Sequence, residues 1–516
     1  MLAFALRRAR PPFVLALALI VGAGGCVFRT VGTRPVERRG VAPVQVFSPV
    51  KLHLTDGSTV VFQDGALITA DSVKGRGRRF GLTLADSGLV QAVPFDRVVA
   101  AESFRGEVDE VASLLGTLAA TPLVVVGVAG LAVALFGSCP TVYADATGDV
   151  AQAELFSSSI APLMEQRDVD RLAVDADASG AVTLEVRNEA VETHYLNHLE
   201  LLSVEHAADE AVFPAQDKRL FAVRALRPFA RATDRTGRDV RALLGGADGA
   251  AYVTADVVVA AQHPGDLSDH VDLVAPRPAG DSAAVVLRLR SSLLNTLWLY
   301  EYMLAGQGAA ALDWLGRDLN SVSTTIELAS FYDRRMGLAV QVWRDGAFHD
   351  VRRIYEVGPT AWGDVAVPIA VPPGDSLRVR LQFVPDAWRV DHAALAASVR
   401  PVTPRRHAVS ALRTAASADA PDLRARIAAP DEAYLVTGPG ERYHVRFDVG
   451  PSASARTFLL AGQGYYVEWM RRDWLRTPAP RRFVPTDSLL SEAITRWRVA
   501  RPDYERRFES SRLPVR

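Results

Sequence analysis

Cysteine is nearly absent from this chain. Its 516 residues carry two, Cys26 and Cys139, which excludes a disulfide framework. An excess of either charge is missing as well: 58 Lys and Arg stand against 59 Asp and Glu, a formal net charge of -1. That balance argues against bulk nucleic-acid binding, which needs a clustered positive surface. Lysine is scarce and arginine abundant, as a GC-rich coding bias would give, so the arginines by themselves imply no function. The short signatures of catalysis are also missing. There is no Gly-x-Ser-x-Gly and no Walker-type glycine loop, no Gly-x-Gly-x-x-Gly between a strand and a helix, and no His-Glu-x-x-His. The members of a Ser-His-Asp triad need not be close in sequence, but nothing points to one. No repeat recurs at a fixed period, which weighs against solenoids and propellers.

What is present is apolar material. Hydrophobic residues make up 49% of the chain and charged residues 23%, enough for packed cores and, at this length, for several domains. The longest apolar stretch, 111–136, holds no charge and is long enough to cross a bilayer as a helix. Gly116, Gly127 and Gly130 give it a thin face for helix packing, and Pro122 is tolerated near the end of a membrane helix. A buried core helix or a re-entrant hairpin is the other reading. Cys139, directly after it, has no basic neighbour and reads as a buried or membrane-edge thiol.

Residues 1–26 read as a secretory signal. Arg7, Arg8 and Arg10 form a basic start, Phe13 to Val21 an apolar segment, and Ala23-Gly24-Gly25 the small residues before Cys26. This segment resembles the lipobox of bacterial lipoproteins, with Ala23 where that family commonly has leucine. The resemblance covers the targeting segment alone. It implies a covalent lipid on Cys26 and a place in the bacterial cell envelope, with membrane lipid as the first partner. Lipidation at Cys26 and a span at 111–136 would together send the rest of the chain to the cytoplasm. Our reading is that 111–136 is membrane-inserted or docked, with the large region periplasmic or surface-exposed.

The remainder predicts a mainly β fold with some α. Residues 27–49 read as a linker and 50–105 as a small β barrel or roll. Its hairpin Val50–Leu54/Thr59–Phe62 turns at Asp56-Gly57, and Lys74 to Arg79 reads as a basic flexible loop able to touch lipid headgroups. Residues 137–315 read as a β-rich mixed domain in which Val182–Val186 and Leu199–Val204 look like paired strands and Tyr252–Ala260 a further one. Helices are expected over Leu293–Leu304, Ala309–Leu315 and Asp487–Trp497. Residues 320–400 read as a β-sandwich or jelly roll, because Leu377–Phe383, Val365–Val371 and Leu338–Val342 alternate, with Pro368 confined to an edge. Residues 401–430 read as a linker and 431–516 as an α+β segment.

Three constellations could carry chemistry. Asp175-Ala176-Asp177-Ala178-Ser179-Gly180 resembles the opening half of a calcium loop, although Val186 stands where the bidentate acid belongs; a polar turn is the alternative. In the second, Glu192, His194, His198 and Glu200 share one face of a strand by parity and could present imidazoles and carboxylates to zinc. A looser set, His263, Asp266, His270 and Asp272, could do the same. In the third, Tyr465, Tyr466, Trp469 and Trp474 could face a sugar ring or a protein partner. On a helix, Tyr465, Trp469 and Arg472 would instead form a core stripe. Trp343, Trp362 and Trp388 invite the same comparison with carbohydrate-binding modules. The readings that follow are a non-catalytic envelope lipoprotein that binds or assembles, a membrane-tethered metal-dependent hydrolase, and a glycan-binding surface protein.

Overall fold

The computed structural model describes residues 42–81, 86–104, 140–144, 150–355, 357–414, 419–510 and 513. The expected signal segment 1–26, both cysteines and the apolar run 111–136 lie outside them. Among the described residues no helix is long and apolar enough to cross a membrane. The fold is mainly β with some α: five antiparallel sheets and a helical block.

Strands between Val44 and Ser103 form most of an eight-stranded sheet, which Met470–Arg471 completes by pairing with Val98–Ser103. The expected basic loop at Lys74 is inside strand Ser72–Phe80, paired with Thr59–Phe62 and Asp86–Pro94. Its glycines read as flexibility, but here they make room. A Cβ on Gly77 would lie 2.8 Å from both the Phe62 ring and Val60. This is the close packing that a glycine inside a strand often marks.

The other four sheets make two sandwich-like units, and one interrupts the other. Strands Thr141–Tyr143, Ala151–Glu154 and Ala181–Arg187 pair with Ala411–Thr414 and Arg442–Asp448, and they face a sheet built on Glu192–His206 and Ala455–Glu468. Val182–Val186 and Leu199–Val204 therefore sit in different sheets. Residues 210–402 form the inserted unit, with one sheet centred on Ser282–Ser291 and Trp388–Val402 and the other on Asp269–Pro276 and Ser376–Phe383. Consecutive domains are thus replaced by an insertion. The expected linker 401–430 contains strands Arg405–Ala408 and Ala411–Thr414. Tyr252–Ala260 gives way to helix Asp256–Ala261, while strand Gly363–Ala370 carries Pro368 on a sheet edge as expected.

The helical block, 293–336, lies between two strands of the inserted unit and occupies the start of the expected sandwich 320–400. It ties the units together. The Asp313 carboxylate accepts the backbone N–H of Phe47 and Ser48 at 2.7–3.1 Å, which fastens the N-terminal sheet. Helix Asp487–Ser510 closes the block, burying Leu490, Ile494 and Trp497. Trp497 Nε1 donates to buried Asp386 at 2.6 Å, and Arg389 and Arg501 pair with the same carboxylate.

Candidate functional site

The principal pocket has a volume of about 550 Å³, within the range of about 300–1,000 Å³ usual for small-molecule sites. It is where the helical block meets both sandwich units. One wall is Leu293–Leu297 continuing into a π-helical segment, Trp298–Leu304; the opposite wall is Val322–Phe331 continuing into a second, Tyr332–Met336. π-Helical turns are rare and frequently accompany functional sites. Two in one pocket are its most distinctive feature.

Local chemistry builds these walls. Ser292 Oγ caps the first helix by accepting from Leu294 N at 3.2 Å, and Ser321 Oγ caps the second by accepting from Thr324 N at 3.4 Å, the role hydroxyl residues play at helix starts. Trp388 Nε1 donates to Met336 O at 3.0 Å, which pins the end of the second π segment to the sandwich. A third wall, Tyr355 with Val357, Gly358 and Pro359, is held by Glu154, whose Oε2 accepts from Thr360 N and Ala361 N at 2.8 and 3.1 Å. Tyr466 closes the floor, its hydroxyl donating to Ser157 O at 3.3 Å.

The lining is chiefly apolar, with Leu299, Met303, Leu328, Met336 and Val357 among Tyr and Trp rings. Ser157, Ser158, Thr296 and Ser330 add hydroxyls. No Lys, Arg or His lines the pocket, and Asp333 is its one carboxylate among the described residues. Asn295 Oδ1 is shielded from solvent and accepts no hydrogen bond among the described residues. The pocket therefore suits an uncharged, largely apolar molecule carrying a hydrogen-bond donor. An anion would find no cation, and burying an unpaired charge is costly.

A buried polar network supports the inner wall. Tyr300 lines the pocket, and its hydroxyl donates to Glu468 Oε1 at 2.8 Å. The Arg471 guanidinium lies 4.4 Å over the Tyr300 ring and 3.6 Å from Glu468. Burial pushes the Glu468 carboxyl well up, and neighbouring Glu192 adds to this against Arg471. Next along, the His53 ring stacks on Trp469 at 3.5 Å, and Trp469 Nε1 donates to Thr193 Oγ1 at 2.9 Å. His53 Nε2 is 3.3 Å from Glu102, which also pairs with Lys51 at 3.1 Å. Burial lowers His53 to about 4. Burial alone would raise Glu102, but Lys51 and His53 hold it at about 2.

The residues singled out from the sequence are dispersed by this geometry. A β-bulge between Leu196 and His198 inserts Asn197 and reverses the parity of strand Glu192–His206. Leu196, Leu199 and Leu201 accordingly share one core, while Leu202 and Val204 enter another. His194 is buried against Glu192 at 2.6 Å, and burial lowers it to about 3. His198 and Glu200 face the other way, with Glu200 held by Arg167 and Arg406 at 2.7 and 2.8 Å. The expected zinc face is broken by one residue.

Asp177 organises a turn: its Oδ1 accepts from Ser179 N, Ser179 Oγ and Ala181 N at 2.6–3.0 Å, with Gly180 at φ 74°. Asp175 takes no part in those bonds. Asp266 pairs with Arg235 and Asp272 with Arg380, so both carboxylates are engaged by arginines, while His263 and Asp266 are joined through their backbones. Among the described residues no three His, Cys, Asp or Glu side chains group as metal ligands.

The aromatic cluster lies on strand Ala455–Glu468 and the short elements after it, not on one helix. Tyr466 reaches the pocket. Trp469 is fully buried, so it offers no face to a sugar, and Trp474 packs on Tyr300 at 5.2 Å. Tyr465 stacks on Tyr195 at 4.6 Å on the opposite side of the sheet. The wall Leu293–Leu304 was expected as a helix, but the opposite wall, Val322–Met336, and the pocket between them escaped the sequence reading. The available signal was Ser321 to Phe331, a hydroxyl-rich run without the alternation of its neighbours.

No family model matches the chain, and no curated protein does. Among solved structures, a GH31 alpha-xylosidase from Xanthomonas citri aligns over 82% of this chain at 9% identity with a TM-score of 0.14. The chain spans 38% of that enzyme's length, and a likeness so faint carries no inference.

Proposed function

We propose that this chain is a bacterial envelope lipoprotein, tethered through acylated Cys26, that acts as a non-catalytic binding module for an uncharged, largely apolar small molecule. The pocket between the two π-helical segments carries this reading. It is apolar, free of cationic side chains among the described residues, and furnished with an unsatisfied acceptor on Asn295. The lipobox-like segment supports the tether.

Two measurements test the two halves. Growth on a fatty-acid probe labels the parent and not Cys26→Ala; equal labelling removes the tether. Titration with a pyrene-labelled monoacylglycerol delivered from cyclodextrin saturates the parent, whereas Ser330→Trp, which fills the pocket from an exposed helix position, loses binding. Equal binding by both proteins would place the ligand elsewhere.

A further inference from the structure

The pocket's mouth carries apolar residues that the pocket itself does not bury. On helix Val322–Phe331, Leu328 and Phe331 point into the core, while Val322 and Ile326 are 65% and 60% exposed. Positions 322, 326 and 329 fall on one stripe at helical spacing, and Ala329, also exposed, already lines the pocket. The stripe runs about 10 Å from the pocket edge along the helix. Turn Pro162–Met164 packs beside this helix, with Met164 lining the pocket and Leu163 45% exposed. Glu327 is the helix's single ionisable residue. Charges of both signs stand just beyond both ends: Arg317, paired with Asp318 at 3.4 Å, and exposed Asp333 and Arg334, the arginine over the Phe331 ring at 5.7 Å.

We propose that this mouth is a bilayer-docking surface: Val322, Ile326 and Leu163 enter the headgroup–acyl boundary of a phospholipid membrane, opening the pocket directly to lipid. This rests on the binding reading above and names the source of the ligand. The 322–326–329 stripe is apolar, and Arg317 and Arg334 stand at its two ends, where their guanidinium groups can reach phosphate headgroups beside the balancing Asp318 and Asp333. The continuity of the exposed stripe with the pocket lining favours a membrane over a protein partner, because an apolar molecule could then enter without crossing water. The tether allows it. Fifteen residues lie between Cys26 and Ala42, where the described structure begins, and the sixteen steps they span reach at most about 55 Å when extended.

The test places a tryptophan on the mouth of the full chain, reconstituted in phosphatidylcholine–phosphatidylglycerol vesicles with or without acyl-brominated lipid. Ile326→Trp should lose most of its added emission to the brominated chains. Val499→Trp, on an exposed site of the C-terminal helix, should keep its own. No quenching at 326, or equal quenching at both sites, overturns the proposal. So does protection of the 326 indole by a second copy, seen as concentration-dependent crosslinking with no response to bromine. The cyclodextrin titration, run on the same variants, fails only if the pocket reading fails, so the two claims fall separately.

Discussion

Replacing Lys51 by methionine tests the buried network quantitatively. Lys51 and Glu102 are each 1% exposed and 3.1 Å apart, in the sheet that receives Met470–Arg471. Methionine keeps most of the volume and removes the charge. Glu102 is left with His53 at 3.3 Å, and breaking a buried pair from one side costs about 3–5 kcal/mol. Removing both partners in Lys51→Met/Glu102→Leu leaves no buried ion, only His53 and Thr193 without the acceptor they shared, a loss of about 1–3 kcal/mol. The double variant is therefore more stable than either single one. Urea unfolding followed by tryptophan emission suits the assay, since Trp469 stacks on His53. The single variant should also recover as pH falls, because Glu102 without Lys51 takes up a proton readily. Additive losses, or a cost below about 1 kcal/mol for Lys51→Met, would refute the assignment of the pair as a strongly coupled, dry interaction.

Three further outcomes follow from named contacts. Deleting Asn197 removes the bulge but leaves His198 paired with Gln463, so Leu199 and Leu201 stay in the core; the deletion forfeits the Asn197 bonds to Glu165 and Asp431, and limited proteolysis should show that sandwich unit still folded, whereas its unfolding would contradict the assignment of Asn197 as the bulge residue. Gly77→Ala drives a methyl into Phe62 and Val60 and should cost about 1–3 kcal/mol by thermal unfolding. Glu468→Gln keeps an acceptor for Tyr300 but cannot ionise. Because burial raises the folded carboxyl above its ordinary 4.5, its contribution is present at low pH and lost as pH climbs through the raised value. The glutamine variant should lose less stability than the parent as pH rises above the ordinary carboxylate range, and an identical pH profile would contradict this.

The sequence disclosed the parts of the fold that depend on local pattern. Strict alternation in Leu377–Phe383 and the Asp-Gly turn at Asp56 mark half-buried strands and a hairpin whatever the tertiary context. The helix beginning at Leu293 was legible because its apolar residues recur at helical spacing. Three features were not local. The insertion of 210–402 between the halves of one sandwich depends on pairing such as Leu201 with Leu460, which no short window contains. The bulge at Asn197 is one residue in a strand whose two halves each alternate normally, so parity arguments about His194 and His198 fail together. Gly75 and Gly77 lower strand propensity while permitting the packing of Phe62. The pocket was least legible of all. Its lining comes from four separated stretches and two lone residues, Trp388 and Tyr466, and its π-helical walls have no pattern distinct from an ordinary helix.

The most direct test of the account is a titration of the full chain with monoacylglycerols of increasing chain length, alongside fatty-acid carboxylates of matching length. The pocket's apolar lining predicts that each added methylene tightens binding by about 0.8 kcal/mol, roughly fourfold, until the cavity is full. The absence of a lining cation predicts that each carboxylate binds more weakly than its neutral counterpart. Affinity independent of chain length, or a preference for the carboxylates, would contradict the central claim that this is a site for an uncharged apolar ligand.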